Sequence, residues 1–173
     1  FGGAYGGYAA LAGLAFTPER YAAGASVVGP SSLITLMENI PPYWMPIQDS
    51  MSLRVGDPND PSDRDRLESQ SPLFFADSIQ APLLVVQGAN DPRVLQQESD
   101  HIVKALRDLG RPVEYLVALD EGHGFRKEIN ALAMTAALER FFAEHLGGRY
   151  QPEMSPELEA QLETLTVDVD TLP

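Results

Sequence analysis

The chain has 173 residues, 44% of them hydrophobic, and its 12 basic and 25 acidic side chains give a net charge of −13. That length and apolar content support one globular core, while the charge argues against a phosphate-backbone ligand, which needs a basic face. No cysteine is present, which excludes disulfides, thiolate metal sites and a cysteine nucleophile; no apolar run is long enough to span a membrane.

The chain opens on Phe1-Gly2-Gly3-Ala4-Tyr5-Gly6-Gly7-Tyr8. Set against the nucleophile-elbow pattern G-x-S-x-G, a sharp strand-to-helix turn that lifts one side chain above the end of a sheet, Gly2 and Gly6 are the outer glycines. Ala4 stands where serine belongs. Small residues suit a backbone that folds back tightly, and the apolar run Tyr8–Ala15 predicts a helix buried beside the sheet. Residues 22–28 (AAGASVV) read as a short strand stopped by Gly29-Pro30, and Ser31 or Ser32 can cap a helix to about Glu38. Residues 40–63 contain Pro41, Pro42, Pro46, Pro58 and Pro61 and read as a long irregular stretch of the functional or mobile kind. Residues 62–69 suggest a short solvated helix capped by Ser62.

The continuous apolar run 82–88 (PLLVVQG) has the character of a strand covered on both faces. A helix follows over 95–109, closed by Gly110, then a strand over 113–119 (VEYLVAL), then a long helix capped by Asn130 and ending at Leu146. This alternation means an α/β fold: a parallel sheet with helices on both faces. With three full strands and a start inside the elbow, the chain reads as the carboxyl-terminal part of a longer protein, its missing strands supplied upstream. Residues 1–148 form this partial domain. Residues 149–173 form an acidic extension, with six acids and no lysine or arginine from Gln151 onward. There Ser155-Pro156-Glu157 starts a helix with the narrow stripe Leu158, Leu162 and Leu165. It either docks on the domain or a partner, followed by an extended end, or stays disordered.

Acyl transfer by serine needs a base for its proton and an acid to hold that base. The order Ala4, Asp91, His123 is that of nucleophile, acid and histidine in α/β-hydrolases. Asp91 and His123 each follow a predicted parallel strand, the end where open α/β sheets build their sites. Asp120 is nearer His123 in the chain, but Asp91 has its own strand loop and can approach the ring from the side. His101 reads as surface and His145 as a helix-end residue suited to the dipole. No H-x-x-x-H or carboxylate grouping indicates a metal site. The Tyr5 backbone N–H supplies one oxyanion donor, and the second belongs to an earlier strand loop. Arg93 is either a surface charge or a donor to a substrate carbonyl or carboxylate. Tyr43, Trp44 and Met45 either line an apolar pocket or anchor their loop, and Val94 is a second candidate wall.

The strings GGAYGGYAALAGLAFTPERYAAGASVVGPS, GDPNDP, SPLFFAD, PLLVVQGANDPRV, DEGHGF and FFAEHLGG resemble prolyl oligopeptidase-type serine peptidases, most closely the dipeptidyl-peptidase and acylaminoacyl-peptidase branch, over Phe1–Gly148. The resemblance implies the carboxyl-terminal portion of an α/β-hydrolase fold, with Asp91 as charge-relay acid and His123 as general base. It implies hydrolysis of short peptides through an acyl-enzyme, without metal or cofactor. It also implies an upstream β-propeller that restricts access, and a homo-oligomer is compatible with it. Where the family has GGSYGGY this chain has Ala4, so as written it lacks the nucleophile. Retention of acid and histidine fits a removed serine. An esterase or lipase on the same fold, or a non-catalytic peptide-binding homologue, are the alternatives. The absence of cysteine fits a reducing, cytoplasmic setting.

Overall fold

Two strands carry runs of consecutive apolar residues, and the structure uses both of their faces. In β3 (Leu83–Gly88), Leu83 and Val85 enter one core while Leu84 and Val86 enter another. In β4 (Val113–Ala118), Tyr115 and Val117 join the first core, and Leu116 and Ala118 the second. The strand period of two makes a continuous apolar run a two-sided strand. A computed structural model describes the protein from Phe1 to Pro173. Its sheet is parallel throughout, in the order β1-β2-β3-β4, with β1 at Gly2–Gly3 and β2 at Gly24–Val27.

On one face lie α1 (Tyr5–Phe16), which buries Leu11 and Leu14, and α5 (Gln96–Asp108), which buries Ile102, Val103 and Leu106. On the other lie α6 (Glu128–Leu146) and α7 (Pro156–Leu165), which contribute Ala133, Ala137, Phe141, Leu162 and Leu165. A smaller cluster of Leu33, Ile34 and Leu67 joins α2 (Leu33–Glu38) to α4 (Pro61–Ser69).

The proline-rich stretch is not irregular. It folds into a 3-10 turn at Pro42–Ile47, then α3 (Gln48–Arg54), then α4. Pro42 and Pro61 sit in first turns, where a missing N–H costs nothing. Asp60 rather than Ser62 caps α4, accepting the Ser62 N–H at 2.9 Å. Asn130 does not cap α6, which begins two residues earlier; its amide is engaged elsewhere.

The acidic segment folds back. Ser155 caps α7, the Val167 N–H donates to the Tyr115 carbonyl at 2.9 Å, and Thr166 forms an antiparallel bridge with Leu116. The end is a 3-10 turn at Val169–Thr171, not an extended strand. No helix is long and apolar enough to cross a membrane.

Candidate active site

The elbow is built from β1 and the start of α1. Gly2 and Gly3 pair with Ser26 and Val27, and the Ala4 N–H donates to the Val27 carbonyl at 2.9 Å. Ala4 then turns at φ 53°, ψ −118°, a sparsely populated conformation for a residue with a Cβ. The turn is so tight that a Cβ on Gly2 would lie 2.2 Å from the Gly6 carbonyl oxygen. Tyr5 opens α1, so its N–H has no intrahelical acceptor, and the positive end of the helix dipole faces the space beside Ala4.

Asp91 and His123 come from the loops after β3 and β4. Gln87, buried at the end of β3, donates to the Gly88 and Val94 carbonyls at 3.0 and 2.9 Å and accepts from Ser99 Oγ at 2.8 Å, which closes the loop around Asp91. The neighbouring loop lies so near that a Cβ on Gly88 would meet the Gly122 carbonyl at 2.1 Å. The Asn90 N–H donates to the Glu121 carbonyl at 2.9 Å.

Asp91 is only 3% exposed. Its Oδ1 accepts the N–H groups of Arg93 and Val94 at 2.9 and 3.0 Å, and its Oδ2 lies 2.7 Å from His123 Nδ1. A carboxylate can only accept, so Nδ1 carries the proton and Nε2 is left as the basic nitrogen. Asp120 turns instead to Lys127 and Asn130, and Lys127 holds the Asp120 carboxyl below its ordinary range.

Ala4, Tyr5 and His123 share a cavity of about 340 Å³ whose other walls include Trp44, Arg93 and Val94. Tyr43 does not line it. Its ring is 54% exposed, and its hydroxyl meets Arg93 Nε at 3.3 Å; Met45 also points to solvent. Tyr43 therefore supports Arg93, whose guanidinium lies 6.0 Å from the Trp44 ring centroid. Neither Arg93 nor Arg54, both on the cavity wall, pairs with a carboxylate.

Walls with no local signal in the sequence are Tyr8, Pro30, Leu33, Met51 and Val55. Tyr8 donates to the Gln70 carbonyl at 2.9 Å, and burial raises its hydroxyl pKa above the usual tyrosine value. The Pro30–Leu33 wall is tied down by buried Glu98, which accepts the Ser31 and Ser32 N–H groups at 2.9 Å each and the Thr35 hydroxyl.

His101 is half-buried on α5 and does not line the cavity. At the far end of the sheet, Glu114, Glu144 and His145 bring ligand atoms within 4.8 Å of one another. That grouping is hidden in the linear sequence, because β4 meets α6 only in the fold. Arg140 pairs with Glu114 at 3.2 Å, and the His145 ring packs edge-on to Phe141.

Known proteins resemble this chain in sequence and in fold. Residues 1–149 match the prolyl oligopeptidase family. The chain is 50% identical over 151 residues to dipeptidyl aminopeptidase BIII of Pseudoxanthomonas mexicana, covering 87% of this chain and 22% of that protein. It is 49% identical over 152 residues to dipeptidyl peptidase family member 6 of Caenorhabditis elegans, covering 87% and 20%. It therefore spans about a fifth of the length of these relatives. The crystal structure of a puromycin hydrolase superposes with a TM-score of 0.76 at 26% identity, over 86% of this chain and 22% of that one. The parallel sheet and flanking helices are those of an α/β-hydrolase fold, and with the family match spanning residues 1–149, the chain belongs to the prolyl oligopeptidase family.

Proposed function

We propose that the cavity is the acyl-transfer site of a serine peptidase for short peptides, in a form whose nucleophile position holds alanine. The observation that carries this reading is the 2.7 Å contact of Asp91 Oδ2 with His123 Nδ1, on adjacent strand loops, with the strained Ala4 turn in the same cavity. With a hydroxyl at position 4, His123 Nε2 takes its proton as the oxygen attacks the peptide carbonyl. The Tyr5 N–H then donates to the developing oxyanion. His123 returns the proton to the leaving amine, and water releases the acyl group by the same route. Arg93, free of any acid, suits a substrate carbonyl or carboxylate, and the apolar wall of Trp44 and Val94 suits a side chain next to the scissile bond. The relatives named for dipeptide release favour a peptide over a simple ester. As it stands, Ala4 leaves a site that binds peptides without cleaving them.

The test is Ala4→Ser in the protein with any upstream region that the longer relatives imply. We expect release of amine from short peptides and inactivation by serine-directed phosphonates, with neither in the alanine form. A folded variant that cleaves simple esters and no peptide establishes an esterase. One inert on both, while the alanine form still binds peptide, establishes a binding protein.

A further inference from the structure

The carboxyl-terminal helix reaches the histidine loop through a line of side chains outside the cavity. Gln161 on α7 donates through Nε2 to Asn130 Oδ1 at 2.6 Å. Asn130 is fully buried in the first turn of α6, and this contact turns its amide nitrogen toward Asp120 Oδ1 at 3.1 Å and Glu121 Oε1 at 3.0 Å. Glu121, 4% exposed, also accepts the N–H groups of Arg126 and Lys127 at 3.0 and 2.8 Å. One carboxylate, itself on the near flank of the loop, therefore grips the far flank as well.

Between these flanks lie Gly122, His123, Gly124 and Phe125. Within that stretch the backbone makes one bond, Gly124 N–H to the Gly122 carbonyl at 2.9 Å. Glycine on either side of His123 leaves the ring free to swing unless both flanks are fixed. The family match ends at residue 149, before α7 begins at Pro156, so the Gln161 contact lies outside the matched region.

We propose that Gln161, Asn130 and Glu121 form a relay through which the acidic carboxyl-terminal segment positions His123 against Asp91. These are positioning residues, since none lines the cavity. The proposal rests on the peptidase reading for its consequence in catalysis but not for its geometry. Apolar contacts through Leu162 and Leu165 seat α7 whether or not Gln161 is present, which allows the relay to be cut without removing the helix. The charged neighbours Asp120 and Lys127 pair with each other at the rim and are left intact.

The test reads the downfield proton resonance of His123 Nδ1–H in the alanine protein, which reports the bond to Asp91 without turnover. We expect it sharp in the unsubstituted protein and in Thr164→Ala, whose hydroxyl bonds only to its own helix. We expect it broadened or lost in Gln161→Ala and Glu121→Gln. In the Ala4→Ser background, Gln161→Ala should lower kcat about 10-fold with KM within about twofold, as expected when a base is misaimed rather than removed. An unchanged resonance in folded Gln161→Ala overturns the relay, and this variant keeps the test open if Glu121→Gln does not fold. Absence of the resonance from the unsubstituted protein overturns it too. If the resonance responds while Ala4→Ser is inert, the relay stands and the peptidase reading falls.

Discussion

Ala4 sits at φ 53°, where a Cβ is crowded and glycine is not. Such a conformation stores about 1–3 kcal/mol, supported by the surrounding fold. Serine and alanine share the Cβ, so Ala4→Ser should change stability by less than about 0.5 kcal/mol. Ala4→Gly removes the crowding but adds freedom to the unfolded chain, worth about 0.4–1 kcal/mol. We expect the glycine variant to gain up to about 2 kcal/mol in denaturant unfolding; a loss greater than about 1 kcal/mol would show the turn to be unstrained. The elbow was legible because its chemistry is local: Gly2 has no room for a side chain beside Gly6. Gly6 itself has open space where its Cβ would lie, so its place in the motif does not follow from crowding at that position.

The loop from Glu121 to α6 shows what local rules miss. Asn130 has the chemistry of a helix cap, and the sequence places it before an apolar run. No side chain caps α6; Glu121, a loop residue whose distance from the helix is set only by folding, instead accepts the Arg126 and Lys127 N–H groups just before it and the Asn130 side-chain amide. Asp91 and His123 could be read because each lies just beyond an obvious strand. The cavity walls Tyr8, Leu33 and Val55 could not, because three separate elements meet there. Burial alone would raise the Glu121 carboxyl pKa. The N–H groups of Arg126, Asn130 and Lys127 outweigh it and hold the group below the usual carboxylate range. A pKa depressed on folding contributes stability above the unfolded value of about 4.3, and that stability is lost as pH falls through the folded value. Glu121→Gln should therefore melt lower than the parent near neutral pH, with the gap narrowing below about pH 4.5. A gap that is constant from neutral pH into acid would remove Glu121 titration from the account. Lys127 also lowers Asp120, so Asp120 contributes to acid sensitivity in both proteins.

At the scale of the whole molecule, the outer edge of β4 shows what the acidic segment does. Three strands and a helix alternation suggest a sheet whose edge needs strands from further protein, and do not say which edge. The chain covers the β4 edge itself. Leu162 and Leu165 pack into the core on one face of the sheet, while Val167, Val169 and Leu172 pack against the core on the other. Between them Thr166 and Val167 pair with β4. Arg107 on α5 fastens the end, donating to the Val169 and Leu172 carbonyls at 3.0 and 2.6 Å. A stripe of three leucines in an acidic tail does not reveal this clasp, because half of it consists of backbone groups and an arginine some sixty residues earlier. Unpaired strand edges recruit other strands. Removing Thr166–Pro173 should therefore produce concentration-dependent self-association, measurable by light scattering or sedimentation. Arg107→Ala, which loosens the end but leaves Val167 on β4, should associate less. If the shortened protein keeps the parent's mass at every concentration, the clasp does not guard the edge. If Arg107→Ala associates as strongly as the truncation, the latch on α5 is what holds the final segment in place.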